Sequence, residues 1–230
     1  MGEKKRKEAA TNAWKKVLFV IAAVLFVVVM IVSSMGTHWI TGLAPIKAGD
    51  QVVLGYTLYD ALGTPFITTS QPLFKQTLEK GQSIMYTKPL SLTANRTAAQ
   101  ALIGIDIYVP TNGGSWEQFG LNNQEIDALS NSVVGMRTGE TKKVPFTYTE
   151  SMSNLYSPED LATVNLNMSS LSVGDSLTMG ISDNPNASVS NSTANIYLRF
   201  GDVTRKTDGG VVVDFGYPYA EVTVESFTNS

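Results

Sequence analysis

The chain of 230 residues contains no cysteine and only one histidine, His38. The lack of cysteine excludes disulfide bridges, thiol nucleophiles and thiolate metal ligands. Because His38 lies at the end of a long uncharged run, the rest of the chain also lacks a Ser-His-Asp triad, a histidine general base and a histidine-rich metal site. We therefore expect no metal and no cofactor.

Basic residues are scarce after residue 47. The chain has 17 Lys and Arg against 20 Asp and Glu, and six of the basic and two of the acidic residues precede residue 17. The remainder carries 11 basic against 18 acidic residues, a formal charge of −7. No cluster of basic and aromatic residues follows, so a DNA- or RNA-binding function is excluded.

Charge is entirely absent from Val17 to Ile46. The strictly apolar part of this run, residues 17–32, corresponds to about 24 Å of helix, and the small residues that follow extend it toward the ~30 Å core of a bilayer. Trp14 and Trp39 stand at its two ends, where indoles favour membrane interfaces. The sequence therefore predicts a transmembrane anchor over residues 17–39, in contact with membrane lipid.

The basic residues before this run predict the orientation of the anchor. Under the positive-inside rule, residues 1–16 form a cytoplasmic tail and everything after the anchor is extracytoplasmic, in a single-pass protein of the cell membrane. Two alternatives stay open. One is a signal peptide cleaved near Ser34 and Gly36; the other is an N-terminal helix that packs in a pilin-like filament.

Four Asn-X-Ser/Thr sequons fit an extracytoplasmic domain and are possible glycosylation sites. They lie at Asn95, Asn167, Asn186 and Asn191.

Period-two alternation begins at Gln51. Residues 51–70 predict a β-hairpin whose turn is formed by residues 60–63. The next region, residues 71–124, is long and poorly periodic; it predicts one strand over residues 101–109 and a loop rich in Gly and Asn over residues 110–124.

Two short helices and five strands are predicted in the second half of the chain, and the first of these strands follows a glycine turn within residues 137–149. Ile126, Leu129, Val133 and Met136 are spaced three, four and three residues apart, which is typical of one helix face. Ser157, as N-cap before a proline, predicts the second helix. The other strands are predicted over residues 175–181, 194–204, 209–215 and 220–227, with a hairpin turn over 204–210. In the second of them Ile196, Leu198 and Phe200 alternate with Tyr197 and Arg199.

Several segments together resemble a known family. They are GDQVVLGYTLYDALGTPFITTS, VVGMRTGETKKVPF, YSPEDLATV, LSVGDSL and VVVDFGYPYAEVTVESF. Their order is similar to that of the FKBP-type peptidyl-prolyl cis-trans isomerases, in the SlyD-like branch with an inserted flap domain.

The resemblance implies a mainly β (α+β) fold, in which an antiparallel sheet wraps on a short helix after the transmembrane anchor. The FKBP-like domain would comprise residues 40–154 and 219–230, with a long insertion over residues 71–124. The β-rich flap domain would comprise residues 155–218. The architecture also suggests an archaeal envelope.

The resemblance further implies an isomerase and chaperone of exported, proline-containing or unfolded polypeptides. The Xaa-Pro bond has a cis/trans barrier of roughly 18–20 kcal/mol, and a desolvated aromatic pocket that prefers the twisted amide lowers it without covalent chemistry. In the SlyD-like branch, the inserted domain holds unfolded chains.

The resemblance also assigns the pocket. Tyr56, Phe66 and Ile126 match pocket residues of the family. Leu129 occupies the position where the family usually has an aromatic residue as the pocket floor. Met152 begins the segment Met-Ser-Asn that replaces the usual Ala-Tyr-Gly. Tyr219 lies one residue from a position where the family has an aromatic side chain. Ile67 replaces an aspartate that orients the amide.

These departures leave two hypotheses. The first is a membrane-anchored, extracytoplasmic isomerase and foldase with a degenerate pocket. The second is a non-catalytic FKBP-fold binding or structural subunit of a cell-envelope assembly.

Overall fold

A computed structural model describes residues 19–31, 33, 44–182 and 195–230 of the chain. The chain divides into two compact units, Met1–Ala44 and Pro45–Ser230.

In the first unit, residues 19–31 and residue 33 are helical, and their side chains are exposed. Thirteen consecutive helical residues rise about 20 Å, which is shorter than the ~30 Å core of a bilayer. Within the described ranges, no helix is long and apolar enough to cross a membrane.

The predicted transmembrane anchor over residues 17–39 is therefore wrong. The prediction that depended on it, a single-pass protein of the cell membrane, is contradicted by the same finding. Lipid as a partner and an archaeal envelope stay predictions. Trp14 and Trp39 lie outside the described residues, as do Ser34 and Gly36.

The second unit is built on strands. Twelve strands of the described residues form one sheet, which curls into a half-barrel. Their bounds are β1 (Gln51–Tyr59), β2 (Pro65–Thr68), β3 (Met85–Thr87), β4 (Leu90–Thr93), β5 (Leu102–Val109), β6 (Ser115–Asn122), β7 (Thr141–Pro145), β8 (Ser153–Tyr156), β9 (Ser176–Ile181), β10 (Tyr197–Thr207), β11 (Gly210–Asp214) and β12 (Tyr219–Thr228). The helices are α1 (Gln71–Glu79), α2 (Asn123–Ser132) and α3 (Pro158–Thr163), with 3-10 turns at Thr111–Gly113 and Met168–Ser170.

The strand order is β7-β12-β1-β2-β3-β5-β6-β10-β11-β8, with β4 paired to β1 and β9 paired to β10. Strands β1 and β2 are antiparallel, so the predicted first hairpin is confirmed. Its turn is held by the Asp60 side chain, whose Oδ1 accepts from the backbone N–H groups of Leu62 at 2.9 Å and Thr64 at 2.7 Å. The chain thus reverses where local turn chemistry requires it.

Residues 71–124 are more regular than their sequence predicts. They contain α1 and four strands, and Ser70 caps α1 by accepting from the N–H of Leu73. The predicted loop over residues 110–124 is wrong, because Ser115–Asn122 forms β6 in antiparallel pairing with β5. Only two inward-facing residues of β6, Phe119 and Leu121, are apolar and buried. Two such positions are too few to produce the period-two alternation of apolar and polar residues by which a strand is recognised in a sequence.

Both predicted short helices are present. Asn122 caps α2 in a capping box with Glu125, and Ser157 caps α3 in the same way with Asp160. The apolar face of α2 packs into the sheet through Leu129, which is fully buried. Helix α2 therefore lies in the concave side of the curled sheet.

Two hydrophobic clusters form the core. The first is the larger and contains the inward side chains of β1, β5, β6, β12 and α2. The second contains only residues from the second half of the chain: Leu161, Leu171, Leu177, Val203, Val211, Val213 and Phe215, with Met152, Tyr156, Leu166, Met168 and Met179 at its edge. The sheet is continuous through both clusters, so it does not separate an FKBP-like domain from an inserted domain. The boundary between these two domains stays a prediction.

Candidate functional site

Four of the six residues predicted to form a pocket pack together in the first cluster. Tyr56, Ile126 and Leu129 are buried, and half-buried Phe66 packs against them. Burial raises the pKa of Tyr56 to about 12, although a contact with the Thr87 hydroxyl at 3.4 Å favours the opposite direction. These side chains are thus core residues in this conformation.

The other two predicted residues lie elsewhere. Met152 packs at the edge of the second cluster. Tyr219 stacks on Tyr59 with ring centroids 4.7 Å apart, and the Lys143 ammonium lies 3.5 Å from the Tyr219 centroid. Since the neighbouring Ala220 is buried, strand alternation places Tyr219 on the outer face of the sheet, opposite to the core.

Aromatic side chains close the space beside Phe66. The Tyr217 ring lies 4.5 Å from Phe66, and the fully buried Phe119 ring lies 6.5 Å from it, centroid to centroid. Phe200 stacks on Phe119 at 5.8 Å. Two aromatic rings of the protein therefore pack on Phe66, one of the residues that the resemblance assigns to the pocket.

A buried ion pair adjoins these aromatic residues. Arg199 of β10 is 1 % exposed, and Glu125 of α2 is 0 % exposed at the side chain. The guanidinium forms a two-point contact with the carboxylate, with Nη1 2.9 Å from Oε2 and Nη2 2.5 Å from Oε1. Its remaining donors go to the carbonyl oxygens of Gly120 at 2.7 Å and of Phe215 at 2.8 and 3.1 Å. All five N–H groups of Arg199 are thereby used.

The guanidinium also lies between two rings. Its central carbon is 4.3 Å from the Tyr217 centroid and 5.5 Å from the Phe119 centroid. Burial alone would lower the pKa of Arg199, but the charge and hydrogen bonds of Glu125 outweigh it and raise the pKa. Arg199 therefore stays charged and is held from every side.

Tyr148 completes this polar network. Its hydroxyl donates to Glu125 Oε1 at 2.6 Å and accepts from the backbone N–H of Tyr217 at 2.9 Å. Burial and then the Glu125 carboxylate raise the pKa of Tyr148. No buried side-chain polar atom of the described residues lacks a partner. The network joins α2, β10 and the segment before β12, and it presents no free acid, base or nucleophile.

Sequence reasoning missed this network. It noted the alternation in β10 but not which face is buried: Arg199, Gly201 and Val203 point inward, whereas Ile196, which precedes the strand, is exposed. The feature of the sequence that could have indicated it is that Arg199 shares alternate positions of the strand with Gly201 and Val203. Its partner, Glu125, is 74 residues away in sequence, so periodicity could not identify the pair.

A groove lies beside β8, which forms one end of the sheet order. It has a volume of about 480 Å³ and is lined by β8, α3 and β9 through Asn154, Leu155, Tyr156, Asp160, Thr163, Val164 and Met179. Leu155 is 61 % exposed and Val164 is 49 % exposed, although both are apolar. We name this feature the β8 groove.

Two other polar features give weaker evidence of a functional site. A second cavity of about 210 Å³ on the outer face includes Glu221 and Glu225. Burial, then the charges of Asp60 and Asp214, raise the pKa of Asp202. No set of acidic and histidine side chains in the described part of the chain could hold a metal ion.

Two of the predicted glycosylation sites are described. Asn95 occupies a left-handed turn at φ 55° and is exposed, and exposed Asn167 caps the second 3-10 turn. Asn186 and Asn191 lie outside the described residues.

No protein-family model matches the chain, and no curated protein matches it either.

Proposed function

We propose that this protein is a non-catalytic, polypeptide-binding member of the FKBP-like folds. The observation that carries the proposal is the packing around Phe66: the Tyr217 and Phe119 rings lie against Phe66, and the buried Arg199–Glu125 pair lies against those two rings. An isomerase must bind a twisted Xaa-Pro amide in a desolvated pocket. The rings packed on Phe66 compete with a prolyl residue for the same space.

The β8 groove is the proposed client site. Strand β8 pairs only with β11 among the described strands, so its other edge is available to an extended chain. Addition of a strand to a sheet edge gives main-chain hydrogen bonds of little sequence preference. Exposed Leu155 and Val164 beside this edge would contact the apolar side chains of the added chain.

Clients of this kind are unfolded polypeptides. The site combines an edge that binds any backbone with a shallow apolar surface, and it lacks a deep pocket that would select one side chain. This agrees with the holding function that the resemblance assigns to the inserted domain.

The test is a titration of the full chain against a permanently unfolded, fluorescently labelled polypeptide. Replacement of Leu155 and Val164 by Ser should weaken the affinity about tenfold or more, because both apolar contacts are lost. The matched control is Leu62→Ser, which removes an even more exposed leucine, at 86 %, that does not line the groove. Equal affinity for the double variant and the control would refute the β8 groove as the client site.

The competing hypothesis is an active isomerase. It requires that the network open in solution to admit a prolyl residue, and it predicts acceleration of cis/trans exchange in an Xaa-Pro peptide. Loss of client binding in the groove variant would not affect that rate, so the two functions are separable.

A further inference from the structure

A strip of aromatic side chains lies on the outer face of β3, β5 and β6. Tyr86 pairs with Tyr108 across the first two strands, and Tyr108 pairs with Trp116 across the next two. Their strand neighbours Thr87 and Ile107 are buried, so alternation directs the three rings outward. We name Tyr86, Tyr108 and Trp116 the aromatic strip.

Two rings of the strip are in contact with each other, and all three are partly accessible. The Tyr108 and Trp116 centroids are 5.6 Å apart, with planes inclined by 56°. Phe74 of α1 packs beside both tyrosines, with its centroid 5.6 Å from Tyr86 and 6.4 Å from Tyr108. Trp116 is 53 % exposed, and the other three rings are half-buried.

The spacing of the strip selects one ligand conformation. Adjacent strands lie about 4.8 Å apart, so Tyr86 and Trp116 are separated by roughly 9.6 Å. A polyproline II helix repeats every three residues, or about 9.3 Å. An extended strand repeats its side chains on one face every ~6.7 Å, and an α-helix advances ~5.4 Å per turn. Of these three conformations, the polyproline II helix, with prolines at positions i and i+3, matches the strand spacing best.

The polar groups of the strip fit the same ligand. In the part of the chain that the structure describes, the hydroxyls of Tyr86 and Tyr108 and the indole N–H of Trp116 have no hydrogen-bond partner. A polyproline II helix has no internal hydrogen bonds, so its carbonyl oxygens are free to accept. The strip therefore offers donors to a proline backbone, which carries only acceptors.

Charge complements this arrangement. Asp106 precedes Tyr108 by two residues and shares its face of β5. Its carboxylate accepts from the side-chain amide of Gln118 and forms no ion pair with any described residue. Lys88 follows β3 and, in the continued register, comes opposite Asp106; its Nζ lies 5.6 Å from the Trp116 ring centroid. A basic residue next to the prolines would pair with Asp106.

We propose that the aromatic strip binds proline-rich polypeptide segments in the polyproline II conformation, with prolines at i and i+3 and an adjacent Arg or Lys. The site uses none of the residues of the β8 groove, so it does not depend on the proposed client site. It recognises a conformation rather than catalysing isomerisation.

The test measures fluorescence anisotropy of a labelled peptide, nine prolines followed by arginine, titrated with the full chain. Trp116→Ala should weaken binding at least tenfold, because the most exposed ring is removed. Tyr86→Phe and Tyr108→Phe keep the rings and remove only the hydroxyl donors, so each should weaken binding about threefold without affecting the fold. Asp106→Asn should weaken this peptide but not a version that ends in glutamate.

The control peptide replaces the prolines with Gly and Ser, and the control variant is Leu155→Ser. We expect no measurable binding of the control peptide and unchanged binding by the control variant. Equal binding of both peptides, or an unchanged affinity in Trp116→Ala, would overturn the proposal. Binding of a neutral oligosaccharide in place of the proline peptide would assign the strip to sugar and overturn it as well.

Discussion

Removal of the Arg199 guanidinium should be among the most destabilising single changes in this chain. In Arg199→Met the stem remains, but the buried Glu125 carboxylate loses its charged partner, and the carbonyls of Gly120 and Phe215 lose their donors. Breaking a buried ion pair from one side costs about 3–5 kcal/mol. The Tyr148 hydroxyl and the N–H of Asn122 still donate to Glu125, so we expect the lower part of this range.

The matched control is Arg137→Met. Arg137 and Glu140 form an ion pair at 3.8 Å with side chains 55 % and 48 % exposed, and pairs of this kind contribute about 0–1 kcal/mol. The free energy of unfolding is measured by urea denaturation of the full chain, monitored by circular dichroism.

A second variant separates charge from shape. Glu125→Gln in the Arg199→Met background removes the orphaned charge, so the double variant should be less destabilised than the sum of the two single variants, by about 2 kcal/mol. If the free energy of unfolding of Arg199→Met lies within about 1 kcal/mol of that of the Arg137→Met control, Arg199 does not organise the core.

Three further substitutions test other parts of the structure, each by urea denaturation. The raised pKa of Asp202 means that the folded protein binds this proton more tightly than the unfolded chain, so its contribution is favourable below about pH 3.9 and is lost as the pH rises through the raised pKa. Asp202→Asn should therefore stabilise the protein at pH 7, by less than about 1 kcal/mol because the site is partly solvated. This gain in stability should disappear near pH 3. The control Asp208→Asn, at an exposed turn residue, should show no such gain. Gly210 has φ +145°, and a Cβ there would lie 2.1 Å from the Tyr156 carbonyl oxygen. Gly210→Ala should therefore lower the free energy of unfolding by about 1–3 kcal/mol. The control Gly209→Ala should change it by no more than about 0.5 kcal/mol, because a Cβ there meets no close atom. Tyr148→Phe leaves a backbone N–H without an acceptor and should cost about 1–3 kcal/mol; a loss below 0.5 kcal/mol would contradict the hydrogen bonding assigned to its hydroxyl.

Elements with local signals were predictable from the sequence. The first hairpin follows from the turn chemistry of Asp60 and Gly63, and α3 follows from Ser157 as N-cap. In both cases the residues that determine the structure lie within a few positions of one another, so a single sequence contains the full signal.

Features that depend on distant contacts were not predictable. Strand β6 has exposed Trp116 and Glu117 beside each other, which hides its alternation until the pairing with β5 is known. The burial of Arg199 depends on Glu125 and on the Phe215 carbonyl, which only the folded chain brings together. The N-terminal run predicted a membrane span from its composition, but the helix among the described residues is too short to form one.

The proposed lack of catalysis is tested most directly by the rate of cis/trans exchange of an Xaa-Pro tetrapeptide, measured by exchange NMR with the full chain at equimolar concentration. Because Tyr217 and Phe119 pack on Phe66, which the resemblance assigns to the pocket, we expect the uncatalysed rate, on the order of one event in tens to hundreds of seconds. An acceleration of tenfold or more would show that the core opens to admit a prolyl residue, and it would contradict the proposal that this protein binds polypeptides without isomerising them.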